Sequence, residues 1–252
     1  MTFQPPYKLL LTALLCFPLI CFGQKYTVTK GTTLLAYVAQ DTIWMAADSR
    51  ALTIHASDKG YDTVVSTIDK IYKYKGVDYA FCGHLNFYMD TFEFFNPDEI
   101  FRQFLNIYNV DTALEKFTSE VKGQLSTYFF FLKRDNRRAF DSCLNKPVLG
   151  AIIATFSNHK PYYKMIDFSL VGNADSSFSI LKREAEYNIP LPIVMLNGFT
   201  EHIEQYLKFR PAYFQNRDES MEDKLKDLIE LEINYHPLMV NYPVKSEILI
   251  NR

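Results

Sequence analysis

Four short segments carry side chains that could do chemistry together: Gly31-Thr32-Thr33, Ala47-Asp48-Ser49-Arg50, Asp69-Lys70-Ile71 and Phe81-Cys82-Gly83. Between them they offer a hydroxyl, a carboxylate, an ammonium and a glycine whose backbone no side chain hinders. A threonine hydroxyl is a poor nucleophile at neutral pH and needs a base to take its proton. Taken singly, each residue has a plainer explanation. Thr32 opens a strand, Asp48-x-Arg50 is a solvated strand end, Lys70 is an exposed lysine and Gly83 marks a turn. Other chemistries lack their residues: no G-x-S-x-G elbow, GxxxxGK[ST] loop, CxxC pair or HExxH motif occurs. The five histidines, His55, His84, His159, His202 and His236, show no ligand spacing, so neither a metal site nor another cofactor is expected.

In this order the segments resemble the proteasome β-subunit family of N-terminal nucleophile (Ntn) hydrolases. Its members carry a Gly-Thr-Thr start to the first strand and an Ala-Asp-Ser-Arg end to the second. A Lys-Ile pair opens their third strand, and a small residue followed by glycine closes the fourth. The resemblance is close over residues 31–83 and looser beyond. It implies an α+β fold, a four-layer αββα sandwich of two packed, mainly antiparallel sheets, with the active site at one end. It also implies roles. Thr32 matches the nucleophile, exposed when the bond after Gly31 is cut; Asp48 and Lys70 match the flanking acid and lysine; Gly83 matches the oxyanion glycine. The α-amine of such a residue titrates near pH 8 and can serve as the base. A nearby ammonium pushes that value down further.

Two departures qualify the match. The interval from Asp48 to Lys70 is long, which places an enlarged loop within 51–67, near the substrate cleft. The family also carries a Gly-Ser-Gly-Ser element after its sixth strand, and Arg-Asp with Ser-Gly-Gly before the last. Here the first region reads Gly172-Asn173-Ala174-Asp175-Ser176-Ser177, with polar groups that could substitute. The second, from Tyr235-His236-Pro237 through Asn241-Tyr242-Pro243, has no acid.

The elements that must position these residues are legible in part. Apolar, β-prone runs at 33–40 and 42–47 predict a hairpin around Gln40-Asp41, and 70–74 with 77–82 predict a second around Lys75-Gly76. The polar stretch 51–67 reads as a loop with strand edges. Asn96-Pro97-Asp98 starts a helix with Ile100, Phe104, Ile107 and Tyr108 on one face. Asp111 caps a second, carrying Leu114, Phe117, Val121, Leu125 and Phe129. Lys133, Arg134, Arg137 and Arg138 read as a basic helix end or solvated turn. Strands are expected at 148–156, 162–170 and 244–250, with helices near 202–206 and 221–233. No linker or repeat divides 24–252.

The N-terminus carries a different signal. Lys8 precedes a 14-residue apolar run from Leu9 to Phe22, and Cys21-Phe22-Gly23 ends it with a small-x-small pattern. That describes a signal peptide over 1–23, too short to span a membrane. Leu19 and Ile20 disfavour lipidation at Cys21. The expectation is a secreted or periplasmic protein with a propeptide at 24–31 and a hydrolase domain at 32–252. Cys82 and Cys143 would remain, as one disulfide or as two buried thiols.

A net charge of −2 gives no general attraction to nucleic acid or anionic lipid, so neither is expected as a partner. The 21 Phe and 17 Tyr read as core filling, although they could also line an acyl pocket. Three functions fit: a threonine endopeptidase that matures itself and acts on peptides, an amidase or acylase acting on small amides, and a non-catalytic binding or assembly subunit. Whether the chain forms a homo-oligomer depends on surfaces that the sequence leaves open. An ATP-driven partner is not expected outside the cytoplasm.

Overall fold

Residues 33–38 read TLLAYV, and alternate side chains of this strand enter two different cores. Leu34, Ala36 and Val38 join Ile43, Met45 and Ala47 in one cluster, while Leu35 joins Ala46 in another. A period of two explains the split, because successive Cβ atoms leave a strand on opposite faces. The computed structural model describes residues 26–31, 33–57, 60–89, 92–185, 190–236 and 244–250. The signal peptide read at 1–23, and Thr32 itself, lie outside the described residues.

Among the described residues the chain is α+β with two antiparallel sheets. Strands β1 (Tyr26–Gly31), β2 (Thr33–Val38), β3 (Thr42–Asp48), β4 (Arg50–Ser57), β5 (Gly60–Thr67), β6 (Ile71–Tyr74), β7 (Val77–Met89) and β8 (Phe92–Phe95) come first. Helices α1 (Pro97–Ile107), α2 (Val110–Asp135) and α3 (Arg137–Cys143) follow, then β9 (Lys146–Ser157), β10 (Lys160–Gly172), β11 (Phe178–Ala185) and β12 (Ile193–Gly198). Helices α4 (Glu201–Phe209) and α5 (Met221–Tyr235) precede β13 (Val244–Ile250). The larger sheet runs β11-β10-β9-β7-β1-β4-β5, with β6 and β8 also paired to β7; the smaller runs β12-β2-β3-β13.

Three apolar clusters hold these parts together. Between the sheets, Leu34, Ile43 and Met45 meet Ala80, Cys82, Ile152 and Ala154. The opposite face of the larger sheet buries Tyr79, Phe81, Leu149 and Ile153 against Phe101, Phe117 and Phe129 of α1 and α2. The opposite face of the smaller sheet packs Leu35 and Ala46 on Ile203, Leu225, Leu228 and Ile229 of α4 and α5. Each fully buried Leu or Phe contributes roughly 1.5–3 kcal/mol. The aromatic residues fill the second cluster, where Tyr79 meets Phe101 edge-on at 4.9 Å and donates its hydroxyl to Asp98 at 2.7 Å. Cys82 and Cys143 are buried free thiols. Among the described residues no helix is long and apolar enough to cross a membrane.

Several expectations change. The stretch 51–67 is no loop: β4 and β5 pair from Arg50 opposite Thr67 to Ser57 opposite Gly60, extending the sheet edge. The buried face of α1 is Pro97, Ile100, Phe101 and Leu105, whereas Ile107 is exposed. Asn109, not Asp111, caps α2, its side chain accepting from the Thr112 N–H at 3.0 Å. The two hairpins, the strands near 148–156 and 162–170 and the last strand form where expected. The sequence pattern does not predict strands β1, β8, β11 and β12.

Candidate active site

An apolar strand carries Asp48 to its position. β3 is buried along most of its length, and Asp48 at its end is 0% exposed. A carboxylate in such a place must have its charge and lone pairs answered. Its Oδ1 accepts from the Thr33 backbone N–H at 2.9 Å and from Lys70 Nζ at 2.8 Å; its Oδ2 accepts from the Arg50 N–H at 3.2 Å. The strand end is therefore not solvated.

Lys70 stands immediately before β6 and is 1% exposed, so it is not a surface lysine. Burial pulls its ammonium below the ordinary lysine value, and Asp48 opposes that shift. The Lys70 carbonyl accepts from the Phe81 N–H at 3.3 Å, which fixes the segment against β7.

Gly83 lies within β7 at φ +84°, a region that L side chains rarely adopt. A Cβ there would fall 2.6 Å from the Val148 carbonyl oxygen. The position has to be glycine. Gly83 lies opposite Leu149 on one side and opposite Gly31 on the other. It borders a cleft of about 400 Å³ that Cys82, Leu149, Asn197, Phe199 and Thr200 also line.

A short polar chain runs along that cleft. The Cys82 thiol donates to Asn197 Oδ1 at 2.9 Å, and Asn197 Nδ2 donates to Asp167 Oδ1 at 2.9 Å. Asn197 crosses over Gly150, where a Cβ would lie 2.1 Å from its Oδ1. Burial pushes the Cys82 thiol strongly up, so it stays protonated and is no nucleophile. Burial also raises Asp167, while the bond from Asn197 lowers it.

Thr32 lies outside the described residues, but its two neighbours connect to the other candidates. Gly31 is in register with Gly83, and Thr33 donates its N–H to Asp48 and its hydroxyl to the Phe199 carbonyl at 2.9 Å. Asp48 and Lys70 touch directly, and both act electrostatically on Cys82, the residue before Gly83. Gly31, Asp48, Lys70 and Gly83 thus belong to one neighbourhood or adjoin it.

The polar turn that reaches this place is Gly198–Thr200, not 172–177. Gly198 lies opposite Thr33 at the end of β12. Asn173, Asp175 and Ser177 bond to one another in the β10–β11 turn, and the Ser176 carbonyl accepts from Lys133. Residues 237–243 lie outside the described residues. Asp167 and Asn197 were missed; the signals available were an acid inside the apolar run MIDFSLV and an amide closing the apolar run IVML.

β1 completes the picture. It runs antiparallel to both neighbours, with Val28 opposite Phe87 and Ile54, and Thr29 opposite Asn86 and Thr53. The residues before Thr32 thus form an inner strand of the larger sheet. No protein-family model matches the chain, and no curated protein matches it.

Proposed function

We propose that the chain is an exported threonine hydrolase of the Ntn type, with Thr32 as nucleophile after cleavage of the Gly31–Thr32 bond. The observation that carries this reading is the buried Asp48 carboxylate, which joins the Thr33 N–H, the amide next to Thr32, to the Lys70 ammonium. The three apolar clusters support the finer fold reading, an αββα sandwich with four layers. The leader at 1–23 supports export.

In the uncut chain Thr32 has no α-amine. Its hydroxyl adds to the Gly31 carbonyl, the acyl group moves from nitrogen to oxygen, and water hydrolyses the ester. The new α-amine then takes the proton of the hydroxyl in each turnover. The Lys70 ammonium keeps that amine in its free-base form. A backbone N–H at Gly83 stabilises the oxyanion, worth roughly 3–4 kcal/mol in comparable sites. Once β1 leaves, the slot between β4 and β7 has two open edges, which suits an extended peptide better than a small amide.

The double pairing of β1 also favours a second reading, a non-catalytic chain that keeps residues 26–31 as a permanent strand. Intact mass of the exported protein separates the two. The hydrolase reading expects a mature chain beginning at Thr32, absent in Thr32→Ala and partly retained in Thr32→Ser. A protein that keeps Gln24 or Tyr26 and hydrolyses no peptide supports the second reading. Hydrolysis by that uncut form would remove Thr32 as nucleophile.

A further inference from the structure

A second cluster of chemistry-bearing side chains lies where α4 begins and α5 ends. Glu232 is 0% exposed. Its Oε1 accepts from the backbone N–H groups of His202 at 2.7 Å and Ile203 at 2.9 Å, which fixes the carboxylate plane. Its Oε2 is left facing two imidazole nitrogens, His202 Nδ1 at 3.2 Å and His236 Nε2 at 3.9 Å. The three donor atoms all lie within 4.8 Å of one another.

We propose that His202, Glu232 and His236 bind one divalent cation of the zinc type. The donor set is two imidazoles and a carboxylate, which suits a borderline-soft cation better than magnesium or calcium. Bond lengths of about 2.0–2.1 Å to a tetrahedral cation put ligand atoms about 3.3 Å apart. Of the three separations, His202–Glu232 already matches, Glu232–His236 closes by about half an ångström, and the two imidazole nitrogens, within 4.8 Å of each other, draw together as the rings turn onto the cation. Glu232 lies in the last turn of α5, and His236 is the residue that caps the helix end, its backbone N–H donating to the Glu232 carbonyl. Packing orients both rings: His202 stacks on Tyr235 at 3.9 Å, and His236 leans on Phe199 at 5.5 Å. Two backbone donors hold the carboxylate from behind, as the outer shell of a metal site does. Three protein ligands leave a fourth position for water.

The site ties α4 to α5 beside Phe199, whose carbonyl accepts the Thr33 hydroxyl. Bound metal therefore steadies the turn that meets Thr33. That second effect rests on the reading of Thr32 as nucleophile; the binding itself does not.

The test uses full-length protein purified without a polyhistidine tag and dialysed against Zn²⁺ alone. Wild type should hold one equivalent and melt at higher temperature with Zn²⁺ than with a chelator. His202→Gln and His236→Gln, at side chains 25% and 33% exposed, should fold and bind at least about 10-fold more weakly. On wild type alone, Zn²⁺ should protect His202 and His236 from modification by diethylpyrocarbonate. Failure of wild type to bind an equivalent, or to protect these two rings, overturns the proposal. So does equal binding by both variants, which would place the metal elsewhere. None of these readouts depends on hydrolysis, so the metal proposal and the hydrolase reading can fail separately.

Discussion

The ammonium of Lys70 sits 2.8 Å from Oδ1 of Asp48, and neither side chain reaches water. Removing Lys70 leaves the Asp48 carboxylate buried without that ammonium, held by the backbone N–H groups of Thr33 and Arg50. Lys70→Met should therefore cost about 3–5 kcal/mol, measured by urea unfolding. Taken as a surface lysine, the same residue would be almost free to change. The double variant Lys70→Met with Asp48→Asn should recover part of the loss, because it removes both charges. A single-variant loss under about 1 kcal/mol would show that the pair is solvated after all.

Gly76 and Gly83 offer a controlled comparison, since both have φ near +80°. At Gly76 a Cβ meets nothing within 4 Å, whereas at Gly83 it meets Val148 backbone at 2.6 Å. Gly76→Ala should cost only the backbone strain, of the order of 1–3 kcal/mol. Gly83→Ala should cost clearly more and shift β9 away from β7. Equal melting temperatures for the two variants would contradict the packing described at Gly83.

Asp78 provides a pH test. Both its carboxylate oxygens are buried without a hydrogen bond, and burial lifts its pKa from 3.8 to about 6 despite Lys73 at 3.8 Å. A folded-state value above the ordinary one means that the native state binds the extra proton. The associated stability is complete below about pH 4 and is lost as pH rises through 6. Asp78→Asn should therefore stabilise the protein at pH 7–8, by the order of 1–2 kcal/mol. The gain should vanish near pH 4. A gain that does not depend on pH would mean that Asp78 is not the group responsible.

The place of β1 can be tested without any cleavage. Thr29→Pro removes a backbone donor from a strand paired on both sides. Amide exchange should quicken at residues 52–55 in β4 and 84–88 in β7, and stay slow across β2 and β3. Unchanged protection in β4 would mean that β1 does not hold that edge.

The long helix α2 is legible because its apolar period is strong: Leu114, Phe117, Val121, Leu125 and Phe129 are all buried as their spacing requires. β11 is not, since FSILKREA buries only Ile180 fully and otherwise reads as a polar segment. The strands β4 and β5 read as a loop for the same reason: His55, Ser57, Asp58, Lys59 and Gly60 make the middle of the stretch polar. Site residues divide in the same way. The order of Asp48, Lys70 and Gly83 was readable, but the burial of Lys70 depends on a partner that only the fold brings near. His202 and Glu232 are thirty positions apart on different helices, and no local spacing announces them.

β13 lies opposite β3, with Val244 across from Asp48. Strand β3 is made roughly two hundred residues before its partner, so closing that loop carries a large entropy cost before any contact repays it. Until residue 244 has emerged, the smaller sheet lacks one edge and Asp48 lacks its neighbour on that side. A chain still on the ribosome therefore carries an unfinished site. Synthesis itself sets the earliest moment at which this acid and its lysine can be sealed from water.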